Sequence, residues 1–229
     1  MDNEAEGGAE QKVQGWMIWA PEDCQWYEAT PEGFRAVNGR YTYNRPLHIG
    51  HGPMKALAGD RPQVKLAQTP DWHYGDLSFA VQQGSCLKWC HEWEHIEAVF
   101  DPGFVRWRLK DPAFPELELT IEALPLAEAD GIIVRLLASR PARVLWLLSG
   151  LKHDPWSILG QGPMPGGLGP HSVRDCRISL QGYCIAASHP QCPKTAWAAS
   201  APRGIFRFTD GLHLPHLSQP IDIEVKSSR

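Results

Sequence analysis

The sequence predicts an all-β chain, an antiparallel β-sandwich with few or no long helices. Three observations carry that expectation. Apolar and polar residues alternate over several short segments, the pattern of strands with one buried face. The 21 Gly and 20 Pro among 229 residues suit many short elements joined by tight turns. Ten Trp and five Tyr supply core bulk, and rings left at the surface can stack on planar or sugar-like ligands.

Residues 1–14 are polar and Gly-rich, without the apolar stretch of a signal peptide, and read as a disordered leader or an expression remnant. Residues 15–229 then form a single β-sandwich domain, large enough to bury a substantial core. Trp16–Trp19 is a short apolar run. Phe34–Val37 leads into Asn38-Gly39, the strongest hairpin signal in the chain, followed by the alternating aromatics Tyr41-Thr42-Tyr43. Arg61-Pro62 introduces Val64-Lys65-Leu66, and Leu77–Val81 is a further strand. Val105-Arg106-Trp107-Arg108-Leu109 has period two, as does Leu117–Ile121. Ile132–Leu137 and Val144–Leu148 are continuous apolar runs of strand length, suited to strands covered on both faces. Residues 160–170 hold too many Gly and Pro for a regular element and read as a surface loop; Gly166-Gly167-Leu168-Gly169 lacks the Lys-Ser/Thr of a phosphate loop. Strand-length segments follow at Ile178–Leu180, Tyr183–Ala187, Gly204–Phe208 and Ile221–Val225.

One segment has two readings. His91-Glu92-Trp93-Glu94-His95 on a helix puts both imidazoles on one face, where they bind zinc while Glu92 acts as base on the metal-bound water. Gly84-Ser85 is a candidate cap for such a helix. On a strand the two histidines lie about 13 Å apart at roughly 3.3 Å per residue, too far for one ion. Ile96, Ala98 and Phe100 alternate with polar neighbours, Asp101-Pro102-Gly103 reads as a turn, and Phe104–Leu109 returns, so the hairpin is the expected form. No metal and no cofactor are therefore expected, with a zinc hydrolase built on His91, His95 and Glu92 as the alternative. A Cys2His2 site from Cys86, Cys90, His91 and His95 closes in neither geometry.

Net charge is −4 and pI about 6.2, which argues against a nucleic-acid partner. No membrane-spanning stretch is present in the sequence. The six cysteines fix no redox compartment in a chain of this size. Gly84-Ser85-Cys86 lacks the second glycine of a nucleophile elbow, and no cysteine sits in a catalytic signature.

Asn38-Gly39-Arg40-Tyr41-Thr42-Tyr43-Asn44-Arg45-Pro46-Leu47, followed by Ala58-Gly59-Asp60-Arg61-Pro62, resembles the N-terminal region of a bacterial family, the domain-of-unknown-function group 4450. The likeness extends from about Trp19 to about Gly150. It implies a β-supersandwich preceding an (α/α) barrel of glycoside-hydrolase type, and a periplasmic or extracellular location if a signal peptide has been removed. The sequence ends at Arg229, before such a barrel, so the expected role is a non-catalytic sandwich domain of a carbohydrate-processing protein, packing on the barrel and contacting a glycan or oligosaccharide. A scaffolding or dimerisation sandwich is the further alternative; it predicts a large apolar patch.

Sugar sites combine an aromatic platform with planar polar side chains. Asn44 and Arg45 follow an aromatic pair and precede Pro46, where a strand is expected to end, although Arg45 has an alternative as the partner of a carboxylate across the sandwich. Trp72-His73-Tyr74 and His153-Asp154-Pro155-Trp156 read as loop-borne aromatic clusters, platforms or core plugs. Asn44, Arg45, Trp72, Tyr74 and Trp156 are thus the candidate ligand residues. The carboxylates are scattered, and no catalytic acid–nucleophile pair can be nominated.

Overall fold

The alternation becomes two face-to-face antiparallel sheets in the computed structural model, which describes residues 27–31, 33–43, 45–47, 54–68, 72–128, 131–148, 152–153, 177–181, 184–189 and 192–200. The first sheet has the spatial order β1 (Glu28–Ala29), β2 (Phe34–Val37), β8 (His95–Asp101), β9 (Phe104–Lys110), β10 (Glu118–Pro125), β11 (Ile132–Ala138). The second has the order β12 (Arg143–Leu148), β6 (Trp72–Gln83), β5 (Gln63–Gln68), β4 (Met54–Ala58), β3 (Arg45–Leu47), with β7 (Cys86–Trp89) and β13 (Lys152–His153) also paired to β6. A separate three-stranded sheet comprises β14 (Arg177–Gln181), β15 (Cys184–His189) and β16 (Cys192–Ser200). The fold is the expected all-β sandwich. Among the described residues no helix is long and apolar enough to cross a membrane.

Period-two patterning decides which side chains meet. From the first sheet, Ile96, Ala98, Phe100, Val105, Trp107, Leu109, Leu119 and Ile121 point inward and are buried. They face Leu47, Ala58, Val64, Phe79 and Val81 of the second sheet. Each large side chain so buried stabilises the fold by about 1.5–3 kcal/mol relative to exposure.

Two tight turns fix the registers. Asp101 pairs with Phe104 across Pro102-Gly103, where Pro fixes φ and Gly103 takes φ 90°, as a type II turn requires. Gln83 pairs with Cys86 across Gly84-Ser85; Gly84 has φ 60°, and Ser85 does not have positive φ, giving a type II′ hairpin rather than a helix cap.

Four readings of the sequence change. Asn38-Gly39 is not a hairpin turn. Asn38 adopts φ 51°, its N–H donates to Ile96 O, and Ile96 N–H donates to its side-chain Oδ1, each at 2.8 Å. Asn38 thereby ends the β2–β8 ladder, and the chain crosses to β3 in the other sheet; Tyr41–Tyr43 is not a strand. Ile132–Leu137 and Val144–Leu148 are not central among the described residues, where β11 and β12 are the end strands of their sheets. A continuous apolar run does not distinguish burial on two faces from an end strand with an apolar outer face. Trp72-His73-Tyr74 belongs to β6, not to a loop. The segment Cys90–Glu92 is a single 3-10 turn, Trp93-Glu94 is extended linker, and His95 opens β8, so the pentapeptide is neither a helix nor a continuous strand. The runs Trp16–Trp19, 160–170, Gly204–Phe208 and Ile221–Val225 lie outside the described residues, as does the 1–14 leader.

Candidate functional site

The motif Asn38–Pro46 with Gly59–Pro62 folds into a clamp between the sheets. Asp60, fully buried, accepts hydrogen bonds from Tyr27 Oη at 3.1 and 3.2 Å and from Tyr41 N–H at 3.2 Å. Tyr41 O in turn accepts Asp60 N–H at 2.6 Å and Arg61 N–H at 3.3 Å. A Cβ on Gly39 would overlap the Asp60 side chain. Burial raises the Asp60 carboxyl above its ordinary range against the opposing hydrogen bonds of Tyr41 and Tyr27 and the charges of Arg45 and Arg61. The Arg45 guanidinium lies over the rings of Phe34, Tyr27 and Phe100 at 4.2, 4.4 and 5.0 Å. Arg45 is therefore a cation–π element at the sandwich edge rather than a side chain offered at a strand end. Asn44 lies outside the described residues.

The turn after β7 holds the pentapeptide. His91 stacks on Trp89 at 5.7 Å, and its backbone O accepts Arg61 Nη1 at 3.3 Å. Burial, and then the Arg61 charge, push its imidazole down to about 4. His95 is exposed on the outer face of β8, opposite Lys110. The helix that would align His91 with His95 and bring Glu92 to a shared ion is not formed. Among the described residues no group of three or more His, Cys, Asp or Glu is placed to hold a metal. Asp111 fixes the turn by accepting Lys88 Nζ at 2.7 Å and the Glu94 and Ala113 N–H groups at 2.9 Å each. Burial would raise that carboxyl, but these donors outweigh it and hold it below its usual range. Cys86 and Cys90 are free thiols, and burial pushes the Cys90 thiol up.

A third cluster occupies the outer face of the second sheet. Gln63 pairs with Ser78 and Lys65 with Asp76 across β5–β6, and Lys65, Asp76 and Ser78 are all buried although they point away from the core. Gln63 Nε2 donates to Ser78 Oγ at 2.9 Å, and Lys65 Nζ lies 4.5 Å from the Tyr43 ring centroid. Burial pushes Asp76 up to about 6 against the lowering charge of Lys65, and raises the Tyr43 hydroxyl, with Asp76 as the second cause. Farther along β6 the register shifts between Leu66 and Ala67, a bulge that leaves Tyr74 as the extra residue between His73 and Gly75. At the strand's start Trp72 pairs with His153 and His73 with Lys152. The Trp72-His73-Tyr74 segment and His153 thus lie on paired strands at one end of this sheet. Trp156 lies outside the described residues. Arg45, on β3, is separated from β6 by β4 and β5, roughly 14 Å at the usual strand spacing, and belongs to the clamp instead.

Lys65, Asp76 and Tyr43 were not among the residues singled out from sequence. For Lys65 and Asp76 the only signal was polarity within or beside a strand segment, which ordinarily marks a solvated face, and Tyr43 was read only as part of an aromatic run.

Asp76 and His91 oppose each other in pH dependence. Asp76 keeps in the folded state, up to about 6, a proton the unfolded chain releases near 3.8; its contribution is full below 3.8 and lost as pH rises through about 6. His91 stays neutral down to about 4 while the unfolded imidazole protonates near 6.5; its contribution is full above 6.5 and lost as pH falls through about 4. Each is worth on the order of 3 kcal/mol, so between pH values of about 4 and 6 the two slopes oppose and largely cancel each other. Urea midpoints should rise with pH in Asp76→Asn and fall with pH in His91→Gln. Parallel profiles in all three proteins would contradict this assignment.

No curated protein and no solved structure matches the chain. Residues 73–165, spanning nearly all of β6 and continuing past β13, match the model of the family described as a domain of unknown function (DUF4450), the family whose motifs were read upstream at Asn38–Pro62.

Proposed function

We propose that the chain is a non-catalytic β-sandwich module of a carbohydrate-processing, glycoside-hydrolase-like protein, packing on an (α/α)-barrel catalytic domain and contacting glycan at the Trp72 end of β6. The observation that carries the reading is the Trp72–His153 pairing, which sets the Trp72-His73-Tyr74 segment beside β13 at one end of the sheet that also carries Gln63, Lys65, Asp76 and Ser78. Aromatic rings beside hydrogen-bonding groups are what a pyranose requires. The non-catalytic part is supported by the carboxylates: Asp60, Asp111 and Glu122 spend their oxygens on internal donors, unlike a cleavage pair, which flanks an open bond.

The test is native electrophoresis in gels cast with a panel of polysaccharides, alongside a reducing-sugar assay on the same panel. At least one polysaccharide should retard the chain, Trp72→Ala/Tyr74→Ala should migrate freely, and no reducing ends should be released. Sugar release by the purified chain would overturn the non-catalytic half. Unretarded migration on every polysaccharide would overturn the glycan half.

A further inference from the structure

The two ends of the first sheet are built differently. At one end β1 is two residues long, and Glu28 Oε2 accepts Arg35 Nε and Nη2 at 2.8 and 2.5 Å, a short and charged edge of the kind that discourages further pairing. At the other end β11 is seven residues long, Ile132-Ile133-Val134-Arg135-Leu136-Leu137-Ala138, and among the described residues only β10 pairs with it. Its outward side chains Ile133 and Leu137 are 54% and 50% exposed, beside Leu124 of β10 at 36%. Its inward residues Ile132, Val134 and Leu136 are only partly buried against the core. Such a strand lacks the protection that a solitary sandwich edge ordinarily carries.

The sequence of β11 also says what fits it. Its apolar residues are disposed symmetrically about Arg135: Val134 and Leu136, then Ile133 and Leu137, then Ile132 and Ala138. An antiparallel strand of the same sequence, paired with Arg135 on the axis, sets Ile133 against Leu137 twice on the outer face and Val134 against Leu136 twice on the inner face. That self-complementarity is the condition for a two-fold interface. The Arg135 charge does not prevent it. Glu122 Oε2 accepts Arg135 Nε at 2.6 Å while Glu122 Oε1 accepts Arg106 Nε at 2.6 Å, so each guanidinium is drawn back over β10 and partly neutralised.

We propose that β11 is the interface of a homodimer, in which two copies pair antiparallel about Arg135 and join their six-stranded sheets into one continuous sheet.

Sedimentation velocity over a concentration series, with hydrogen exchange of the wild type at its highest concentration, tests this. The wild type should sediment at twice the 25.6 kDa chain mass, and Ile133→Lys/Leu137→Lys at the chain mass. Both replaced side chains are exposed, so the variant should keep the wild-type circular dichroism spectrum. In the dimer every β11 amide should be protected. A wild type that remains monomeric at all concentrations overturns the proposal. So does a folded variant that remains dimeric, or β11 amides that alternate between slow and fast exchange, as on a solvent-facing edge.

Discussion

Trp107→Ala is expected to lower stability by about 3–5 kcal/mol, the upper range for a core truncation. Trp107 is fully buried at the middle of β9, between Ala98 on β8 and Ile121 on β10. Removing the indole leaves a cavity bounded by two sheets whose backbones are held by their own ladders and cannot close in. The polar end matters too. Trp107 Nε1 donates to Gly59 O at 2.9 Å, tying the centre of one sheet to the β4–β5 connection of the other. Trp107→Phe separates the two effects: it keeps most of the apolar volume but leaves Gly59 O buried without that donor, at about 1–3 kcal/mol. Urea unfolding monitored by far-ultraviolet circular dichroism reads both. A Trp107→Ala loss no larger than that of Trp107→Phe would mean that the sheets collapse around the gap, contrary to the rigid packing inferred.

The sequence was most informative where period-two alternation coincided with punctuation. Val105-Arg106-Trp107-Arg108-Leu109 and the Asp101-Pro102-Gly103 turn fixed the β8–β9 hairpin, because a single buried face and a proline–glycine pair leave little choice of register. Asn38-Gly39 misled because the same left-handed preference serves a hairpin turn or a ladder end, and only the Ile96 backbone distinguishes them. β16 went unread: Cys192-Pro193-Lys194-Thr195-Ala196-Trp197-Ala198-Ala199-Ser200 has few β-branched residues, and its strand form rests on pairing with β15. The His91–His95 motif carries a chemistry whose spacing holds only on a helix, whereas the turn here is set by Asp111, a contact seventeen residues beyond Glu94 that no local pattern reveals. The segments that begin at Trp72 and His153 were legible in the sequence, but not their pairing. The β6–β13 register that joins Trp72 to His153 is a long-range pairing.

Gly59→Ala is expected to be nearly as damaging as the loss of Trp107, for the opposite reason. A Cβ at position 59 would overlap the carbonyl of Thr42 and the oxygen of Tyr41, and these are backbone atoms that no rotamer change can move aside. Relief requires the 41–42 segment to retreat from 59–61, and the bonds from Asp60 and Arg61 N–H to Tyr41 O, together with Tyr41 N–H to Asp60 Oδ2, lie across that gap. Overpacking alone costs about 1–3 kcal/mol, and a buried Asp60 deprived of Tyr41 adds a similar amount. Gly84→Ala is the control. Nothing lies within 4 Å of its added Cβ, so its expense is only the positive φ, about 1–2 kcal/mol. Gly39→Ala strikes the same clamp from the Asp60 side, so the double variant with Gly59→Ala should lose less than the two single losses together: once the clamp opens, the second methyl meets less resistance. Additive losses, or a Gly59→Ala midpoint no lower than that of Gly84→Ala, would show instead that 41–42 and 59–61 move independently, leaving the Asn38–Pro62 motif without the sheet-locking role assigned to it.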